Sequence, residues 1–174
     1  MRLKFSLAFA GLFFLGVLVG AVCEAELLRW LMPAIRLGLG VGEKMSSGGV
    51  SSLSVFLLIF AKNLSVAALC IALARPSRGA VPALICACNG LVVGVLGAVL
   101  ASRGFPPWSY AALLAPHGAV ELPALFLSCA LGMTSGGGAL SRLKQGLPVV
   151  AKMFAAAAAI EVWVTPAVGR FLGI

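Results

Sequence analysis

His117 and Glu121 stand four residues apart in Pro116-His117-Gly118-Ala119-Val120-Glu121-Leu122-Pro123-Ala124. Helical spacing places this imidazole and carboxylate on one face, one turn apart. The residues around them are apolar enough to cross a bilayer. An ionisable side chain there is costly and turns to the bundle interior or to water. Such a pair can relay protons or hold an ion. Its spacing is also chelating, but the chain has a single histidine. Three nitrogen ligands cannot be assembled, so neither a metal nor any other cofactor is expected.

Three further polar side chains interrupt apolar runs: Lys62, Asn63 and Asn89. A lysine can snorkel toward an interface, whereas an asparagine at mid-span needs a partner. Lys62, Asn63, Asn89, His117 and Glu121 form the candidate cluster. It reads either as a structural network, with Glu121 paired to Lys62 or His117, or as a functional site. Asn63, His117 and Glu121 are expected to converge between the second and fourth helices, with Asn89 at the edge. Asn89 is expected to hydrogen-bond across a helix contact. Lys152 and Glu161 are read as reaching an interface and carry no functional weight.

The elements that position these groups are membrane spans. The 174 residues are 61% hydrophobic and only 10% charged, with a mean hydropathy of +1.11. Soluble domains are typically about a quarter charged. Apolar runs at Phe5–Val22, Leu53–Ala74, Ala80–Ala101, Tyr110–Met133 and Pro148–Val164 each approach the ~20 residues that span a bilayer. The longest piece between them, Cys23–Ser52, is too short and too apolar to bury a soluble core. The chain therefore reads as a single all-α integral membrane domain, residues 1–174, with five transmembrane helices. An amphipathic segment from Glu26 to Met32, interrupted by Pro33, reads as an interfacial helix, and Gly38–Gly49 as loop. A break is expected in the fourth helix at Pro116-His117-Gly118, because a mid-helix proline removes a hydrogen bond. His117 would then lie near a helix start and close to the non-cytoplasmic surface. The first run is longer than the ~7–15 apolar residues of a signal peptide, so it is expected to be a retained helix.

Small residues mark packing faces. Gly16 and Gly20 in the first helix have small-xxx-small spacing, and Gly90, Gly94, Gly97 and Ala101 line one face of the third. That second face suits packing within one chain or a homo-oligomer. The short Arg75–Gly79 connection makes helices two and three antiparallel neighbours. The cysteines, Cys23, Cys70, Cys86, Cys88 and Cys129, read as small packing residues.

Net charge is +8. Basic residues flank the helices rather than interleaving with aromatics, which excludes a nucleic-acid surface. Arg2, Lys4, Arg75, Arg78, Arg142 and Lys144 gather on one side of a five-span topology. The positive-inside rule puts that side, and the N-terminus, in the cytoplasm. No catalytic residues are assigned, because no nucleophile or metal motif accompanies the polar set.

Phe60-Ala61-Lys62-Asn63-Leu64-Ser65-Val66-Ala67, Asn89-Gly90-Leu91-Val92-Val93-Gly94 and the Pro116–Ala124 block resemble the stage II sporulation protein M family in order and spacing. The resemblance carries over Asn63, Asn89, His117 and Glu121 by motif. It implies a multi-pass cell-membrane protein with its N-terminus inside. It also implies a non-enzymatic scaffold that recruits membrane or cell-envelope proteins, among them cell-wall lytic enzymes in sporulating relatives. The alternative from the residues alone is a small-solute or ion transporter or channel with His117 and Glu121 in its path. Either function places the chain in a lipid bilayer. Single cysteines introduced near positions 77 and 104, in a background lacking the native ones, should label from opposite membrane faces. Labelling of both from one face would overturn the five-span topology.

Overall fold

The computed structural model describes residues 1–29 and 51–173. Five helices in it are long and apolar enough to cross a membrane, and there is no strand among the described residues. They are α1 (Arg2–Val22), α2 (Ser52–Leu73), α3 (Ala80–Ser102), α4 (Pro107–Thr134) and α5 (Ala139–Ala159). Helix α5 passes through a π-helical turn (Ile160–Val164) into α6 (Thr165–Leu172), so one span runs from Ala139 to Leu172. Residues 24–29 are helical. The rest of the expected interfacial segment, from Trp30, and the Gly38–Gly49 loop lie outside the described residues.

Local chemistry sets the ends. The Ser51 hydroxyl accepts from the Ser54 amide at 3.2 Å and caps α2. The turn between α2 and α3 uses Arg78 at φ 53° and Gly79 at φ 89°, and the Ser77 hydroxyl accepts from the Val81 amide at 3.2 Å. Pro107 occupies the first position of α4, where its missing N–H costs nothing.

Helices α1 and α3 pack backbone to backbone. A Cβ added at Gly16 or Gly20 would overlap the carbonyl oxygens of Ala87 and Leu91. One added at Gly90 or Gly94 would overlap those of Phe13 and Val17. The contacts advance together along both helices, so the pair is parallel, and the two glycine faces seen in the sequence are partners within one chain. Gly97, one turn on, receives the Tyr110 ring, whose Cε1 would lie 3.0 Å from an added Cβ.

Helix α2 packs chiefly on α5 and α4 rather than on α3. Here Gly132 faces the Cys70 carbonyl oxygen, 2.6 Å from an added Cβ, and Gly146 faces the Ile71 side chain. The expectation that α2 and α3 are close neighbours therefore holds at their shared turn and fails along their length. The backbone contact of α3 is spent on α1, and that of α2 on α4 and α5. The core joins both layers through Phe9, Phe13, Ile71, Phe126, Val150 and Phe154, with Phe13 and Phe126 edge to face at 5.8 Å.

Two arginines, Arg142 buried and Arg75 exposed, close the end of the bundle that holds the 74–79 turn. Arg142 is 4% exposed and donates to the carbonyls of Ile71 (3.3 Å), Ala72 (2.8 Å) and Gly137 (2.8 Å). Arg75 donates to the Met133 carbonyl at 3.3 Å. Both guanidinium groups meet carbonyls at or beside helix C-termini, where the helix leaves acceptors unpaired and its dipole is negative. Two residues that read in the sequence as topology signals thus also cap α2 and α4.

Substituting Gly90 with leucine should cost at least about 2 kcal/mol of stability, because the side chain meets backbone rather than a side chain that can turn away. Gly11, where an added Cβ meets nothing within 4 Å, is the matched control, and Gly11→Ala should be near neutral. Thermal unfolding of both variants in one detergent checks the difference.

Candidate functional site: a polar cleft at mid-span

Helix α4 carries the imidazole and the first carboxylate. It runs without interruption from Pro107 to Thr134, with Pro116 and Pro123 inside it. The expected break at Pro116-His117-Gly118 is therefore absent. Pro116 removes one bond, that to the Ala112 carbonyl, and a helix embedded among neighbours tolerates such a loss. The helix start falls instead at Pro107. His117 and Glu121 consequently lie near the middle of a 28-residue helix, deeper than a broken helix would put them. The last span also starts earlier than its apolar run, at Ala139 rather than Pro148, and Lys152 is an exposed mid-helix residue.

The polar residues that interrupt the apolar runs face one another. Lys62 and Asn63 from α2, Asn89 from α3, and Tyr110, His117 and Glu121 from α4 line one cleft of about 620 Å³. A smaller recess of about 70 Å³ is lined by Phe13, Asn89, His117 and Glu121. Asn63 is buried, at 5% exposed, while Lys62 is exposed. Asn89 does not bond across a helix contact. Its Nδ2 donates to the Ile85 carbonyl of its own helix at 2.8 Å. The α1–α3 seam beside it is backbone on backbone and leaves no room for a bridging amide. The Tyr110 hydroxyl makes the cross-helix bond instead, to the Val93 carbonyl at 3.0 Å.

Glu161 completes the site, although the sequence reading gave it no functional weight. One ligand atom each from His117, Glu121 and Glu161 lie within 4.8 Å of one another, and all three residues are half-buried. The sequence signal was a carboxylate in the apolar stretch Ala151–Val168. The apolar run Pro148–Val164 ends three residues later, which puts Glu161 within reach of an interface when only the sequence is considered. The helix extends to Leu172, so Glu161 lies more than two turns inside the span.

Glu161 sits on the π-helical turn, where the Thr165 amide donates to the Ile160 carbonyl, five residues back. Pro166 follows and has no N–H to give to Val162, so the α-helical ladder is already weak there. Turns of this kind recur at functional sites. Thr165 also orients the imidazole: its hydroxyl oxygen is 3.3 Å from His117 Nδ1 and 3.4 Å from the Ile160 carbonyl.

The cleft is one-sided. Ile59, Leu96, Tyr110 and Leu114 line it toward the bundle end where α2 and α4 begin and α3 finishes. The other half is filled by Cys70, Cys86 and Cys129, with Ile71 and Phe154, all at most 1% exposed. The sulfur atoms of Cys86 and Cys129 are 3.6 Å apart, and all three thiols serve as small packing groups.

Two carboxylates and an imidazole this close act as one unit. Glu121→Leu should destabilise the fold by about 1–3 kcal/mol, because it leaves the facing groups unpaired in the cleft. Glu121→Leu combined with Glu161→Leu should cost less than the sum of the two single changes. Thermal melts of the four-member cycle measure the coupling, and strict additivity would refute a shared unit.

The family model of stage II sporulation protein M matches residues 8–166 of the chain. Neither a curated protein nor a solved structure matches it. The matched span runs from α1 into α6 and contains every residue of the cleft, so the chain belongs to the stage II sporulation protein M family.

Proposed function

We propose that this protein is a non-enzymatic membrane scaffold that assembles membrane or cell-envelope partner proteins, with its N-terminus in the cytoplasm. Family membership supports the reading, and cell-wall lytic enzymes are the partner class that the resemblance implies for sporulating relatives. The observation that carries it is the one-sided cleft. Polar side chains gather at mid-span, yet the half of the bundle beyond them is packed with small and apolar residues, so the site is a terminus rather than a path. Such a site suits holding or registering a partner better than passing a solute.

Surface is available for partners on the spans themselves. Helix α1 meets the bundle through its glycine face, while Leu7, Phe14, Leu15 and Leu18 are exposed. In a bilayer those side chains meet lipid or another helix. Arg2, Lys4, Arg75, Arg78 and Lys144 collect at one end of the bundle, which is the basis for placing that end in the cytoplasm.

The second reading is a transporter of an ion or small solute. It is favoured by the half-buried His117, Glu121 and Glu161, since ionisable groups at membrane depth mark ion and proton pathways. The two readings separate experimentally. Photo-crosslinkers at Leu15 and Leu18 in native membranes should trap defined envelope proteins, and Glu121→Gln liposomes should show the same ion and proton leak as wild type. Flux that is lost in Glu121→Gln, with no trapped protein, would replace the scaffold with the transporter.

A further inference from the structure

We propose that His117, Glu121 and Glu161 form a binding site for one divalent first-row transition ion, such as Mn²⁺ or Zn²⁺. The inference does not depend on the scaffold reading. The single imidazole argues against a metal when only the sequence is considered, because Glu161 is forty residues from Glu121. The fold supplies the third donor. One ligand atom from each residue lies within 4.8 Å of the others. A first-row ion with bonds of about 2.1 Å holds its ligand atoms about 3–4 Å apart. Side-chain adjustments of under about 1 Å per group therefore close the site.

Three features point to an ion rather than to a merely paired cluster. The first is charge. Two carboxylates side by side repel, and a divalent cation between them with a neutral imidazole gives a site of zero net charge, which suits mid-span. The second is the imidazole's orientation. If the Thr165 hydroxyl donates to the Ile160 carbonyl, its oxygen accepts from His117 Nδ1–H, and Nε2 keeps its lone pair. A metal-bound histidine is commonly held in this way through its other nitrogen. The third is Asn63. It is 5% exposed and lines the same cleft, so a carboxamide stands beside the three donors. Its amide oxygen would accept from, or its amide nitrogen donate to, water bound to an ion there. Lys62, exposed on the same cleft, provides positive charge when no ion is bound.

The donor set also selects the ion. Imidazole nitrogen suits transition metals, whereas Mg²⁺ and Ca²⁺ prefer all-oxygen shells. Open coordination positions facing the cleft would take water or a carboxylate or phosphate from a partner.

The test uses the full chain, tag removed, in detergent. Titration with Mn²⁺ followed by electron paramagnetic resonance, and with Zn²⁺ by calorimetry, should give one tight ion per chain that millimolar Mg²⁺ does not displace. Glu161→Gln and His117→Ala should each weaken binding at least tenfold. Thr165→Val should weaken it several-fold through loss of imidazole orientation, and Lys152→Gln, exposed on the same helix, should leave it unchanged. Because an ion-site variant can fold poorly, Mn²⁺ should also raise the melting temperature of wild type by several degrees and that of Glu161→Gln by none. Absence of one-to-one binding to wild type, or affinity within twofold of wild type in Glu161→Gln, would overturn the site.

Discussion

A polar group inside the hydrocarbon layer has only the protein to pair with, and this bundle meets that condition differently at one end and at mid-span. At one end carbonyls in the last turns of α2 and α4 receive guanidinium groups, two bonds from Arg142 to α2 and one from Arg75 to α4, while Arg142 also bonds the Gly137 carbonyl in the loop after α4. An arginine there satisfies several acceptors at once because its donors are fixed in a planar fork. Further along, the side chains that cannot be paired with backbone are collected in one cleft. A buried hydrogen-bonding group left alone costs several kcal/mol, so scattering these side chains over separate helix faces would cost more than concentrating them.

The glycine seam makes this division possible. With no side chains between them, α1 and α3 approach until backbone touches backbone. Membrane helices gain from such contact through dispersion, since lipid offers little hydrophobic drive. Helix α3 is thereby held against α1 and away from the body of α2, although the turn at residues 74–79 joins α2 to α3 directly. The space left between α2 and α3 is bounded by α4 and the end of α5, and it is the cleft. Tyr110 fixes its wall: the ring rests on Gly97 and the hydroxyl bonds the Val93 carbonyl.

The spans were legible because runs of about twenty apolar residues have one structural solution in a bilayer. The glycine faces were legible as faces, but not as a pair, since periodicity shows which side of a helix is bare and not what covers it. Lys62, Asn63, Asn89, His117 and Glu121 stand out for the same reason the spans do, as groups that do not belong in apolar runs. Glu161 has that property too. It escaped because hydropathy ended the last run at Val164, whereas tertiary contacts carry the helix on to Leu172. Pro116 misled in the opposite direction. Its local preference argues for a break, but one lost hydrogen bond is small beside the packing of a 28-residue helix whose start is already set by Pro107. Asn89 shows the same limit on a smaller scale: its neighbours in sequence suggested a bridge, and the closeness of the seam excluded one.

The π-helical turn ties the site to the fold most tightly. None of its residues is buried, and Glu161 on it lines the cleft. A turn that gives up regular bonding is weakly supported from within, so its shape depends on what its side chains meet. Three contacts meet there: Trp163 rests on Phe56 of α2 at 5.6 Å, Thr165 meets His117 Nδ1, and Glu161 faces His117 and Glu121. The last two lead to the same imidazole. The ring therefore joins α4 to the last span at this turn, beyond the packed contact of α4 with α5. An ion at the proposed site would hold Glu161 to His117 and Glu121 and so tie this turn to α4.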